Sequence, residues 1–212
     1  AFLGLVCVPF GYGYVKVFYG LRDHFFRKLP IRRFLVPALG GVLVGVIALW
    51  RPQVMSGGYG VIQQALNGEL SVLFMLTLAL LKIFATSFTI SSGGSGGVFG
   101  PSLFIGAMLG GAVGPFSHAW LPHIVSYPGA FALVGMGAFF AGVAKAPIGS
   151  LLMVCEMTGS YSLVVPLMVA SVLAILLSQR WSLYEKQVLN KFHSPAHRAD
   201  TVVNILQNLK VA

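Results

Sequence analysis

The chain has 212 residues, of which 57% are hydrophobic and only 9% charged, with a formal net charge of +9. A soluble domain carries about 25% charged residues, so this composition excludes a water-soluble fold and points to a chain embedded in lipid. The positive balance does not indicate nucleic-acid binding, because the cations gather in two clusters that flank apolar segments: Arg22, Arg27, Lys28, Arg32 and Arg33, then the stretch from Arg180 to Lys210.

Apolar periodicity and breakers predict helices over 2–26, 34–50, 57–67, 70–90, 98–120, 127–143, 147–158, 161–179 and 183–192. The chain begins inside an apolar segment, at Ala1 and without an initiating Met, and reads as a piece of a longer protein. Segments 34–50, 70–90 and 161–179 have the length and composition of membrane spans, for which about 20 apolar residues are needed. Segments 57–67 and 147–158 are too short, because 12 residues rise only about 18 Å against a hydrocarbon core of about 30 Å. Short helices at that depth must bury their ends in protein or against a polar cavity. Broken helices with ends near the midplane are a transporter's way of binding ions. Loops rich in Lys and Arg stay on the cytoplasmic side, so both clusters, and the C-terminus, are expected there. An even number of crossings then lies between the clusters.

Small residues recur at helical spacing: Gly106, Gly110 and Gly114; Gly41 and Gly45; Ala138 and Gly142. Such faces let helices approach closely in lipid. Cys7 and Cys155 both sit in apolar segments and read as small buried hydrophobes rather than a disulfide or metal site. His118, His123, His193 and His197 have no metal-ligand spacing, and no nucleophile–base pairing stands out. No cofactor is expected. The stretch 193–212 turns polar and then amphipathic, which reads as a cytoplasmic linker into a soluble domain or as a simple tail.

Chemistry concentrates at Ser91 to Gly114, SSGGSGGVFGPSLFIGAMLGGAVG, a glycine-rich turn running into an uncharged helix. Gly93, Gly94, Gly96 and Gly97 permit backbone angles closed to other residues. Pro101 suits a first helical turn, where its missing N–H costs nothing. The N–H groups near Val98 and Phe99 have no partner within the helix and lie at its positive dipole end. A dehydrated halide needs several weak donors, and a full positive charge would hold it too tightly for release. From the residues alone, the turn is equally an anion site or a glycine hinge. Glu156 is the sole carboxylate between Glu69 and Glu185, and Lys82 a lone cation in segment 70–90. Lys82 is expected to pair with a polar group or carbonyl, with Glu156 as one candidate.

GGVFGPSLFIGAMLGG at 96–111 resembles the third signature of the CLC chloride channels and chloride/proton antiporters, GG-x-F-x-P-x-x-x-x-G. SGGYGVIQQAL at 56–66, AKAPIGSLLMVCEMTGSYSLVVPLMVA at 144–170 and SLYEKQVL at 182–189 resemble further segments of that family in the same order. The resemblance implies an all-α polytopic membrane protein with tilted, broken and re-entrant helices, in which residues 1–192 are the second half of an inverted repeat. It implies selective chloride transport, as a voltage- or proton-linked channel or as a chloride/proton antiporter, in a homodimer of the plasma (cell inner) membrane. It assigns the central chloride to the backbone N–H groups of Val98 and Phe99 and to the hydroxyl of Tyr184. Taken alone, Tyr184 reads as an interfacial aromatic anchor. Gly97 and Lys145 would line or electrify the pore mouth, although Lys145 reads equally as a snorkelling cation. Glu156 falls where a structural role is expected rather than proton relay. The resemblance also implies a dimer face on 147–158 and 161–179, including Leu151, Leu152, Val164, Leu167 and Leu173. The stretch 193–212 would open a CBS-type regulatory domain. The family's first-half motifs, a GSGIP-like turn and a GREGP-like turn with its gating glutamate, do not occur in this chain. Two other readings compete with transport: a membrane-embedded enzyme, and a regulatory or structural half without a complete site.

Overall fold

The computed structural model describes residues 2–123, 125, 127–159 and 161–185. The expected helix over 183–192 falls mostly outside them, as do His193, His197 and the whole of 193–212. Among the described residues the regular structure is helical, with eight α-helices. They are α1 (Phe2–Gly20), α2 (Val36–Trp50), α3 (Tyr59–Leu66), α4 (Val72–Ser91), α5 (Phe99–Trp120), α6 (Ala130–Ala144), α7 (Pro147–Thr158) and α8 (Val164–Leu177). A π-helical turn, Leu21–Phe25, prolongs α1 and feeds a short 3-10 turn over Phe26–Lys28.

Among the described residues, four helical stretches are long and apolar enough to cross a membrane: Phe2–Lys28, Arg33–Trp50, Val72–Ser91 and Phe99–Trp120. The stretch expected to span at 161–179 does not reach that length. Gly159, at φ +61°, ends α7 in the left-handed region, and Tyr161 to Val164 is a turn closed by the Val164 N–H on the Tyr161 carbonyl (3.2 Å). That leaves 14 residues in α8, about 21 Å of rise. The short helices expected at 57–67 and 147–158 are present, with 8 and 12 residues.

α5 is the centre of the fold. Every residue from Ser102 to Gly114 is buried. Its glycine face lies against α6 so closely that backbone meets backbone: a Cβ on Gly106 would fall 2.3 Å from the Gly135 carbonyl oxygen, and one on Gly114 2.3 Å from that of Pro128. Gly142 likewise faces Ala174 of α8, with a modest 3.2 Å to its Cβ. The pair Gly41 and Gly45 behaves differently, since added Cβ atoms there would meet nothing within 4 Å. α2 buries only Gly40 among its residues, and Leu49 is 89% exposed. Its apolar outer face suits lipid rather than water.

On the face expected to meet a second copy, Leu152 is exposed but Leu167 is not: it is 1% exposed and packs its side chain onto Gly137 of α6. The helical period at Leu167 turns it inward, while Val165, Met168 and Val169 turn outward.

Candidate functional site

α4 ends in a paired capping turn. The Gly93 N–H donates to the Ile90 carbonyl (3.0 Å) and the Gly94 N–H to the Thr89 carbonyl (3.0 Å), with Gly93 at φ +88°. This is the glycine-dependent helix stop in which a left-handed residue satisfies orphan carbonyls. Of the four glycines in the turn, only Gly93 adopts the left-handed region. Gly94 is required for space, since a Cβ would lie 2.7 Å from the Thr89 carbonyl oxygen, whereas Gly97 has nothing within 4 Å.

The chain then enters α5. Val98 is its N-cap, and Phe99 the first helical residue. The Val98 carbonyl already accepts from the Ser102 N–H (3.1 Å) and from the Ser102 hydroxyl (2.6 Å). It is thereby drawn into the helix, while the first N–H groups of α5 keep no intrahelical partner. The Phe99 ring meets Phe140 of α6 edge to face, with centroids 4.8 Å apart.

Two cavities lie in this region, one at the helix start and one beside Tyr184. One, about 410 Å³, is lined by Gly96, Gly97, Gly100, Pro101, Thr86 and Lys82. Lys82 is 3% exposed. Its ammonium donates to the carbonyls of Val54 (2.7 Å) and Ser56 (2.5 Å) and lies 5.0 Å from the Phe104 ring centre. Its partners are therefore carbonyls. Glu156 is instead exposed on α7 and forms no ion pair with Lys82. The second cavity, about 680 Å³, is lined by Phe140, Ala144, Ala146, Tyr19, Arg22 and Tyr184. Phe140 thus lies between the Phe99 ring and the space beside Tyr184.

Tyr184 is 42% exposed on a short non-helical segment bound to the end of α6. The Leu183 N–H donates to the Val143 carbonyl (3.0 Å). The Ser182 hydroxyl donates to the same carbonyl (3.3 Å) and accepts from the Tyr184 N–H (3.1 Å).

Lys145 caps α6 at φ +60°, with its N–H on the Ala141 carbonyl (2.9 Å). Its ammonium folds back onto the carbonyls of Gly142 (2.8 Å) and Ser178 (2.5 Å) and onto the Ser178 hydroxyl. It also sits 4.9 Å from the Trp181 ring centre. The Ser178 hydroxyl itself donates to the Gly142 carbonyl (2.9 Å). The cation therefore joins the end of α6 to the end of α8. Lys145→Met is expected to lower the thermal midpoint of the detergent-solubilised protein, at a cost of about 1–3 kcal/mol for stranded carbonyls. An unchanged midpoint would refute the joining role.

Phe99 and the Tyr184 segment are thus linked to one helix, α6, through Phe140 at one point and Val143 at another. Gly97 opens onto the other cavity. Tyr19, Ser178 and Ser182 carry much of the polar support and were not legible in advance, because single hydroxyls in apolar segments have no motif. Among the described residues, no three His, Cys, Asp or Glu side chains come together as a metal site. Cys7 and Cys155 are free and buried.

The fold and this arrangement define a multi-pass helical membrane protein with helix ends inside its core. Residues 1–179 match the voltage gated chloride channel family, and the chain belongs to that family. It is 36% identical over 181 residues to the H(+)/Cl(-) exchange transporter ClcA of Vibrio campbellii, covering 84% of this chain and 38% of the relative. It is 35% identical over 180 residues to the ClcA exchange transporter of Cronobacter sakazakii, with the same coverage. Among solved structures it is similar to a slow cyanobacterial Cl-/H+ antiporter, with a TM-score of 0.77 and 26% identity, covering 84% of this chain and 42% of that one. The chain therefore spans about 38% of the length of these ClcA relatives.

Proposed function

We propose that this chain supplies the Val98, Phe99 and Tyr184 donors of a chloride-transporting protein that exchanges chloride for protons. The observation that carries this reading is the start of α5, where Val98 and Phe99 open the helix with N–H groups that have no intrahelical partner, beside a cavity lined by Gly96, Gly97, Gly100 and Pro101. Such donors are neutral, and so is a phenol hydroxyl. They can strip water from a halide without holding it as tightly as a fixed cation would. Exchange is favoured over a channel because the relatives are named as exchange transporters. A second copy of the protein would pack on the outward apolar residues of α7 and α8, such as Ile148, Leu152 and Val165, all exposed. We assign the whole to a cell membrane with the arginine-rich Arg22–Arg33 cluster on the cytoplasmic side, following the positive-inside rule. The stretch 193–212 would lead on the same side toward a regulatory domain.

The test is to reconstitute the intact protein in liposomes and record chloride efflux together with proton uptake. Coupled flux is expected, and a folded protein without chloride flux would sink the reading. Within it, Tyr184→Phe removes one donor to an anion. Chloride affinity, measured by calorimetry, should fall on the order of tenfold. Wild-type affinity in that variant would remove Tyr184 from the site.

A further inference from the structure

α1 carries a second phenol, Tyr19, whose position relative to Tyr184 has a specific geometry. The Tyr19 hydroxyl donates to the Leu183 carbonyl at 2.6 Å. It also accepts from the Glu185 N–H at 3.3 Å. These are the carbonyl before Tyr184 and the N–H after it, so one oxygen grips the backbone on both sides of the residue. The grip comes from a helix far away in sequence, whereas the other backbone hydrogen bonds of this segment run to Val143 of α6.

The Tyr19 ring is itself held in place. Arg22 lies over it, with the guanidinium carbon 4.3 Å from the ring centre. The same Arg22 reaches Asp23 at 2.9 Å and Glu185 at 3.9 Å. Phe18 meets the ring edge to face at 5.2 Å. A held hydroxyl is what a precise bond requires, because a freely rotating phenol would spend its energy on ordering.

We propose that Tyr19 is a positioning residue for anion binding: it sets the height and direction of Tyr184 in the cavity without touching the anion. This rests on the assignment of Tyr184 to the chloride site. Without the Tyr19 hydroxyl, the segment keeps its α6 attachments and the Arg22–Glu185 pair but loses both bonds that bracket Tyr184. Tyr184 is 42% exposed, so packing alone only partly fixes its ring.

The experiment uses the intact protein with chloride as the titrant, in calorimetry, alongside thermal unfolding and the proton-to-chloride flux ratio. Tyr19→Phe deletes one oxygen and keeps the ring. It should weaken chloride roughly threefold, the scale of one neutral hydrogen bond. In a Tyr184→Phe background, the same change should weaken chloride no further, because the residue it positions no longer donates. Ser182→Ala loosens the same segment from the α6 side and should change affinity in the same direction. A purely structural role would lower the thermal midpoint and leave affinity and flux ratio at wild-type values, and that result overturns the proposal. So does a full, additive loss in the double variant. If Tyr184→Phe alone leaves affinity unchanged, the chloride-site assignment fails first, which separates the two failures.

Discussion

Gly110→Val is expected to abolish recovery of folded protein. A Cβ at Gly110 would fall 2.0 Å from the Phe131 carbonyl oxygen, 2.7 Å from the Phe131 carbonyl carbon and 2.9 Å from the Ala132 Cα. All three are backbone atoms of the opposing helix start, so no side-chain rotation relieves the clash. Overpacking a core normally costs about 1–3 kcal/mol. Here the alternative is to drive α5 and α6 apart along their shared face. Between helices in lipid, close packing is itself the main source of association, since the apolar surroundings supply no hydrophobic drive. Total stabilities of about 5–15 kcal/mol leave little room for such a loss. The measurement is the share of detergent-extracted protein that elutes as a single folded species. Gly41→Val and Gly45→Val serve as controls, because their added atoms meet nothing within 4 Å, and both should elute like the parent. A Gly110→Val protein with the parent profile would show that the two helices do not meet at this residue.

The second large effect is expected at Lys82. Lys82→Met keeps a long apolar stem but strands the Val54 and Ser56 carbonyls that the ammonium now satisfies. Val54 is 3% exposed, so water does not readily replace the lost donor. Ser56 also sits at φ +56°, a region uncommon for residues other than glycine, and the lysine bond helps keep it there. Losing bonds of this kind costs about 2–4 kcal/mol. For a chain of this size that corresponds to a thermal midpoint lower by roughly 5–15 °C. Lys82→Arg, which retains donors and charge, should recover most of the loss. A midpoint for Lys82→Met equal to the parent's would mean that the ammonium contributes nothing to this turn.

Helix existence was legible because breakers and uncharged runs carry it locally: the glycine stop after Ser91, the Pro147 start of α7 and the short α3 all follow from nearby residues. The small-residue pattern was legible as a pattern but not in its use. Gly106, Gly110 and Gly114 meet α6, while Gly41 and Gly45 meet nothing, and both groups have the same spacing. Which face finds a neighbour depends on the tertiary arrangement. α8 is shorter than expected because the uncharged turn residues Tyr161 to Leu163 run on into an apolar stretch and look like helix when only hydropathy is read. At the candidate site, the resemblance named Val98 and Phe99 for their backbone N–H groups and Tyr184 for its hydroxyl. It could not name Tyr19, because the bond from its hydroxyl joins residues 164 positions apart. Likewise, Lys145 read as a pore-mouth cation or a snorkelling one, yet its ammonium turns back onto Gly142 and Ser178. A lone charge in an apolar sequence announces only that it needs partners.

The glycine contact between α5 and α6 has a mechanical consequence. Two helices that touch through backbone have no compressible side chains between them, and packed interiors transmit displacement rather than absorb it. α5 and α6 are therefore expected to move together. Val98 and Phe99 open the first of these helices, and the Tyr184 segment is bonded to the last turn of the second through Val143. The backbone donors and the phenol, though far apart in sequence, ride on a single frame. A rearrangement that changes the distance between them would act at the attachments of the Tyr184 segment: its bonds to Val143, its bonds to Tyr19 and the buried Leu183 side chain.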